Sequence, residues 1–196
     1  MKKRIENLIV TRHTSLTDTY FVLDLKSSKK LPEMLPAQFA EVKVERAQNT
    51  FLRRPISIHD VDYEKGEMRL LVEIKGAATR EMSKLRAGDS LNLVYPLGKA
   101  FHLPAKAKKV LLAGGGCGVA PLLFTARYFQ AQGIEVHTLI GGRNAEQLLR
   151  LDAYARYSKV YTITEDGSHG ETGLITAHSS MRDLKQFDAV YTCGPE

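Results

Sequence analysis

The 196-residue sequence has no tryptophan, only two cysteines and no long uncharged apolar run. Its longest such stretch, VLLAGGGCGVAPLLFTA, is interrupted by glycines and a proline and falls short of the ~20 residues a spanning helix needs, so no transmembrane helix is predicted. The N-terminal MKKRIENLIVTRHTS starts basic, but its apolar part is only LIV and no small-residue cleavage site follows. A secretory signal is therefore not expected, and a cytoplasmic location is. Cys117 and Cys193 match no paired metal-ligand spacing, which excludes a disulfide framework or a zinc or iron-sulfur set and leaves free thiols.

What is present is an ordinary globular balance, 43% hydrophobic and 26% charged residues, with a net charge of +6. The excess is uneven: residues 1–100 carry 18 Lys and Arg against 13 Asp and Glu, and residues 101–196 carry 10 against 9. The basic side chains are scattered and no aromatic-interleaved basic patch occurs, so no nucleic-acid partner is expected.

The two halves follow different periods. RIENLIVTRH, TYFVLDLK, QFAEVKVER, PISIHDVD, EMRLLVEIK and SLNLVYPLG read as short strands joined by turn-rich pieces, with one short helix at ATREMSKL. Six antiparallel strands in about 100 residues suggest a small closed barrel over residues 1–100. From residue 101 to 196 the apolar runs KKVLLA, VHTLIG, KVYTIT and DAVYTC are separated by APLLFTARYFQAQ, NAEQLLRLDAYARY and ITAHSSMRDLKQF, which read as helices. Such alternation predicts an α/β domain with a parallel sheet.

Within that domain GGGCGVAP, residues 114–121, stands where the first strand hands over to a helix. Gly114, Gly115, Gly116 and Gly118 would let the backbone approach a pyrophosphate, and Pro121 suits the first turn of the helix. A tight turn that merely needs glycines is the structural alternative. The acid that a dinucleotide fingerprint places about 20 residues on is missing: the second strand ends in Gly141, Gly142 and Arg143, and Glu135 lies at its other end. Arg143 could meet an adenosine ribose or phosphate, or simply solvent.

In the first half, LRRPISI places two arginines before a proline. Arg54 and Ser57 would lie on opposite faces of a regular strand, and Pro55 is expected to break that regularity and to mark an edge strand. Unpaired backbone there could meet the rim of a planar heterocycle while Arg54 neutralises a phosphate. The alternative is a basic strand edge protected against pairing. His59, on the same strand, reads as structural.

Together FLRRPISIHDVD, GAATREMS, YPLGKAF, GGGCGVAP, TEDGSHGETGLIT and VYTCGP resemble, in this order, the ferredoxin-NADP reductase superfamily. Within it they resemble the electron-transfer subunits of the two-subunit, NAD-dependent dihydroorotate dehydrogenase. The resemblance implies a six-stranded FAD-binding barrel followed by an NAD-binding α/β domain, passing electrons between NAD and an FMN-containing catalytic partner in a heterotetramer of pyrimidine biosynthesis. It assigns the flavin to Arg54, Pro55, Ile56 and Ser57, with Leu71, Val72 and Glu73 on the neighbouring strand. Gly76, Ala78 and Thr79 would serve the pyrophosphate at the short helix, with alanine at 78 where the family usually has glycine.

The nicotinamide nucleotide falls, by the same resemblance, to Gly114, Gly115, Gly116, Gly118, Ala120 and Pro121. Glu165 and Asp166 would border its cleft, and Cys193, Gly194 and Pro195 would lie at the nicotinamide end. Taken alone, Glu165 and Asp166 only begin a turn, and Cys193 fits a buried small hydrophobe. Members of the family carry four further cysteines after CGP for a 2Fe-2S cluster. This chain has none of them and is read as a fragment. A general NAD(P)H-flavin or ferredoxin reductase subunit, and a non-enzymatic nucleotide-binding module, are the alternative readings.

Overall fold

The computed structural model describes residues 3–44 and 51–194, and these form two compact units, residues 1–100 and 101–196. In the first, six strands close into an antiparallel barrel: β1 (Arg4–Ser15), β2 (Tyr20–Lys26), β3 (Phe39–Lys43), β4 (Arg54–Asp62), β5 (Glu67–Glu73) and β6 (Ser90–Leu97). Their spatial order is β1-β2-β5-β4-β3-β6. Period-2 alternation sets the inside: Leu8 and Val10 on β1 are fully buried, whereas Ile5 and Ile9 face outward. A six-residue helix, α1 (Ala77–Met82), buries Ala78 and Met82 between β5 and β6 in the chain.

The second unit is a five-stranded parallel sheet of order β10-β9-β8-β7-β11. Its strands are β7 (Lys109–Gly115), β8 (Glu135–Gly142), β9 (Lys159–Thr164), β10 (Glu171–Thr172) and β11 (Ala189–Cys193). Helix α2 (Leu122–Gln130) follows β7, and the one-turn helix α3 (Leu151–Ala155) follows β8. Along β7 the side-chain directions alternate. A Cβ on Gly114 would meet Leu122 of α2, while one on Gly115 would meet Ile175, so α2 and the 175–187 region cover opposite faces.

That second covering is not the helix the sequence suggests over ITAHSSMRDLKQF. It consists of three 3-10 turns, Ile175–Ala177, Ser179–Met181 and Leu184–Gln186. His178 is extended (φ −59°, ψ 143°), its ring bonded to Ser180, and this interrupts the helical path. The apolar spacing still works, because Ile175, Met181 and Phe187 pack on Leu111, Ala113, Leu139 and Ile163. The stretch NAEQLLRLDAYARY is likewise split, into a 3-10 turn and α3, by Arg150 at φ 62°.

Candidate functional site

In the barrel, β4 is laddered to β3 without interruption from Val42 opposite Arg54 to Phe39 opposite Ser57. Pro55 therefore does not break the strand, and Arg54 and Ser57 do lie on opposite faces. The irregularity sits further on, a bulge between Ile58 and Asp60 that holds the fully buried His59. Pro55 is tolerated because of parity. The Ile58 N–H bonds to the Gln38 carbonyl on the β3 side, so Ile58, Ile56 and Arg54 direct their backbone groups to β3, and Pro55 and Ser57 direct theirs the other way.

On that other side the β4–β5 ladder runs only from Asp62 opposite Glu67 to Ile58 opposite Leu70. Continued, it would set Ser57 against Leu71 and Pro55 against Glu73, but Pro55 has no N–H to give. Meanwhile β5 stays paired to β2 as far as Glu73 opposite Tyr20. The Ile74 N–H goes to the Thr19 carbonyl just before β2, so by the same parity Leu71 and Glu73 direct their backbone groups toward the split. Pro55, Ser57, Leu71 and Glu73 thus frame a slot of main-chain donors and acceptors inside a closed barrel. Main-chain groups so directed are of the kind that pair with the edge of a planar, hydrogen-bonding heterocycle.

The two arginines beside it differ. Arg53 is spent on the barrel wall, donating to the Glu41 and Asn92 carbonyls and, at 2.6 Å, to Asn92 Oδ1. Among the described residues, Arg54 reaches the Leu52 and Arg53 carbonyls, at 3.2 and 3.4 Å, and no carboxylate pairs with it. It is the one placed to receive an anion. At α1, the Thr79 hydroxyl accepts the Lys75 and Gly76 N–H groups at 2.9 and 3.1 Å and so braces the start of the helix. Ala78 is buried, with its methyl group packed into the protein (3% exposed). Glu73 pairs with Lys75 at 3.1 Å.

In the α/β unit, β7 runs into a 3-10 turn, Gly116–Val119, with Gly116 at φ 54°, a left-handed geometry that favours glycine. Pro121 stands at the N-cap of α2, one residue before the helix proper, and Ala120 is buried. Gly118 is required for close approach: a Cβ there would lie 2.1 Å from the Cys193 carbonyl oxygen and 2.5 Å from Gly194. Cys193 sits opposite Gly114 on the adjacent strand. Burial raises its thiol pKa, so the sulfur is a neutral thiol and suits no nucleophilic role. Pro195 lies outside the described residues.

Glu165 and Asp166 stand two strands away, after β9, on the same carboxyl edge of the sheet. Their N–H groups bond to the Gly142 and Arg143 carbonyls at 3.1 and 3.2 Å, which stitches the β8 and β9 loops together. The Ser168 hydroxyl and N–H, both on Asp166 Oδ1, hold the Asp166 carboxyl below its usual pKa. Its side chain builds the turn, whereas Glu165 and Arg143 are exposed. Sequence reasoning missed two residues behind this edge, Tyr154 and Ile175. Tyr154 lies in NAEQLLRLDAYARY, which carries no motif, and Ile175 lies near the end of TEDGSHGETGLIT, where the motif gives it no role.

As the sequence reading expects, a 2Fe-2S cluster does not fit the residues present. The sequence has two cysteines where four thiolates are needed, and no three His, Cys, Asp or Glu among the described residues gather as a metal site. No helix of the described residues is long and apolar enough to cross a membrane.

Comparisons with known proteins agree with this geometry. Residues 7–102 match the oxidoreductase FAD-binding domain family. The electron transfer subunit of dihydroorotate dehydrogenase B (NAD(+)) from Streptococcus mutans is 35% identical over 193 residues, 96% of this chain and 73% of that protein. Its counterpart from Shouchella clausii is 31% identical over 197 residues, 100% of this chain and 76% of that protein. Among solved structures, the NADH-dependent reduced ferredoxin-NADP oxidoreductase, described for flavin-based electron bifurcation, superposes with a TM-score of 0.83 at 26% identity, over 96% of this chain and 67% of its own.

Proposed function

The chain belongs to the family of electron-transfer subunits of NAD-dependent dihydroorotate dehydrogenase B, and from that premise we propose that it carries electrons between a dihydroorotate-oxidising partner and NAD through FAD, in pyrimidine biosynthesis. The finer picture is a cytoplasmic subunit, residues 1–100 holding FAD and residues 101–196 NAD, docked in a heterotetramer on an FMN-containing catalytic subunit.

When bound, FAD and NAD supply the hydride chemistry, so the protein need contribute no acid, base or nucleophile of its own. The side chains and backbone bind and orient. Ser57, Leu71 and Glu73 offer main-chain groups to the ring edge, flanked by Pro55 and Ile56, with Val72 behind on β5. Arg54 and the amides after Gly76 receive the flavin pyrophosphate. Gly114–Gly116 and Gly118 let the nucleotide approach the amides ahead of α2, with Ala120 and Pro121 beneath it. Cys193 and Gly194 border the nicotinamide end, and Glu165 with Asp166 the outer cleft.

The observation that supports this reading is the end of the β4–β5 ladder at Ile58 opposite Leu70, beyond which Ser57, Leu71 and Glu73 direct main-chain groups between the two strands. The test is direct. The purified chain should be yellow, release FAD on denaturation, and lose its flavin absorbance on anaerobic addition of NADH. A colourless chain that still binds NAD would point instead to a non-enzymatic nucleotide-binding module. A general ferredoxin reductase role is favoured by the 0.83 TM-score neighbour. It would be recognised by reduction of ferredoxin without any coupling to dihydroorotate.

A further inference from the structure

The glycine turn is a poor binding site if left to itself. Glycines carry the largest backbone entropy, so a turn built from four of them must be ordered either beforehand by the fold or by the ligand as it binds. The structure does the former with two residues to which the motifs assign no role, one on each face of the sheet.

On the α2 face, Tyr154 of α3 is fully buried and its hydroxyl donates to the Val119 carbonyl at 2.5 Å, at the end of the Gly116–Val119 turn. The tyrosine thus holds the last carbonyl of the turn from a buried position. On the opposite face, Ile175 fills the space above two glycines. A Cβ would lie 2.4 Å from the Ile175 side chain at Gly141 and 3.2 Å from it at Gly115. Ile175 is itself held. The His178 N–H bonds back to the Ile175 carbonyl at 3.2 Å, and Glu171 accepts the Ser179 N–H at 2.9 Å and its hydroxyl, with His178 Nε2 3.3 Å away. The turn is therefore held at Val119 by a hydrogen bond and at Gly115, beside Gly141 of β8, by an apolar wedge.

Resting on the reading that this turn takes the nicotinamide nucleotide, we propose that Tyr154 and Ile175 are positioning residues for it: together they hold the Gly114–Ala120 turn in its binding geometry before the nucleotide arrives. Neither need touch the ligand. Their loss should appear as weaker binding, because the ligand must then order the turn, while the reaction of the bound complex is left nearly intact.

The experiment uses the full chain loaded with FAD. Tyr154→Phe removes one hydroxyl, Ile175→Ala removes the wedge, and Ile175→Val keeps most of it. Steady-state KM and kcat with NADH and ferricyanide are measured beside the affinity for ADP-ribose, which keeps the pyrophosphate and lacks nicotinamide. Each of the first two variants should raise the NADH KM and weaken ADP-ribose by about tenfold, with kcat within about twofold, and Ile175→Val should lie between them and wild type. Flavin content and thermal midpoint, measured in parallel, should stay near wild type for Tyr154→Phe and Ile175→Val. An unchanged KM and ADP-ribose affinity would overturn the proposal. So would a parallel fall of kcat and flavin content in Tyr154→Phe and Ile175→Val, since that marks a general loss of structure. A wild-type chain that binds neither NADH nor ADP-ribose would refute the underlying functional reading instead.

Discussion

Asp24 and Arg69 face each other directly across β2 and β5, with Arg69 Nε 2.8 Å from Asp24 Oδ1, and they form the centre of a charged row around the barrel. Arg12 on β1 is the cross-strand partner of Asp24, and Asp60 on β4 is that of Arg69, whose Nη1 it meets at 2.7 Å. Four neighbouring strands thus present Arg, Asp, Arg and Asp at one level. Both carboxylates are nearly buried, the side chains 4% and 6% exposed. Burial opposes the Arg69 charge, but Asp60 and Asp24 outweigh it and raise its pKa.

Removing the shared cation should therefore hurt more than removing either partner. Arg69→Ala leaves two buried carboxylates without their common guanidinium and is expected to cost about 3–5 kcal/mol. Urea unfolding followed by flavin fluorescence would check it; a loss below about 1 kcal/mol, the level of an exposed pair, would contradict the buried row.

Arg54→Ala should weaken FAD retention and leave the barrel folded, because among the described residues its guanidinium braces local carbonyls. A lost charge-assisted bond corresponds to about 1.5–3 kcal/mol, or roughly ten- to a hundredfold in affinity. Flavin content after dialysis measures this. The neighbouring Arg53→Ala should instead lower stability, since Arg53 clamps Asn92 and β3.

NADH should reduce the bound flavin faster than NADPH. At the carboxyl edge, Arg143 is a single exposed cation after β8, and the Asp166 carboxylate, its pKa lowered by Ser168, keeps its charge nearby in the stitched β9 loop. A 2′-phosphate would meet little net positive charge there. Stopped-flow bleaching with matched concentrations of the two nucleotides decides the order.

Acid should loosen the α/β unit through His178 and Glu171. Burial lowers the His178 pKa from 6.5, only partly offset by Glu171, so the folded state prefers the neutral ring. Bonds from Ser179 lower the Glu171 pKa from 4.5. Both groups have depressed folded pKa values, so the stability they contribute is complete above pH 6.5 and is lost as pH falls through those values. Thermal midpoints should drop first between about pH 6.5 and 5, the range where histidine takes up its proton in the unfolded chain. His178→Gln should flatten that first decline.

Incubation with iron and sulfide should give this chain no stoichiometric 2Fe-2S cluster, since it offers two thiols. The visible and paramagnetic spectra after reduction would test this. A rhombic signal at one cluster per chain would be the contrary result.

Much of this was legible in the residues. The period-2 runs gave six barrel strands, and the β-branched runs KKVLLA, VHTLIG, KVYTIT and DAVYTC gave four of the five parallel strands; the missed one, Glu171–Thr172, is too short to show a period. GGGCGVAP was readable because a glycine's freedom is local. ITAHSSMRDLKQF misled, since its helical spacing of apolar residues is also satisfied by three 3-10 turns whose Ile175, Met181 and Phe187 reach the same face.

The sequence by itself determined the elements, the glycine turn and the candidate binding motifs, because periodicity, backbone freedom and a proline's missing N–H act over a few residues. Only the tertiary structure decided what those residues do. The edge expected at Pro55 became a slot inside a closed barrel because the order β2-β5-β4-β3 sets Glu73 opposite Tyr20 while β4 stays with β3. The Arg12–Asp24–Arg69–Asp60 row and the grip of Tyr154 and Ile175 on the turn depend on register and crossover between segments 9 to 60 residues apart. No local preference encodes such distances; they follow from which faces must be buried together once the sheets have formed.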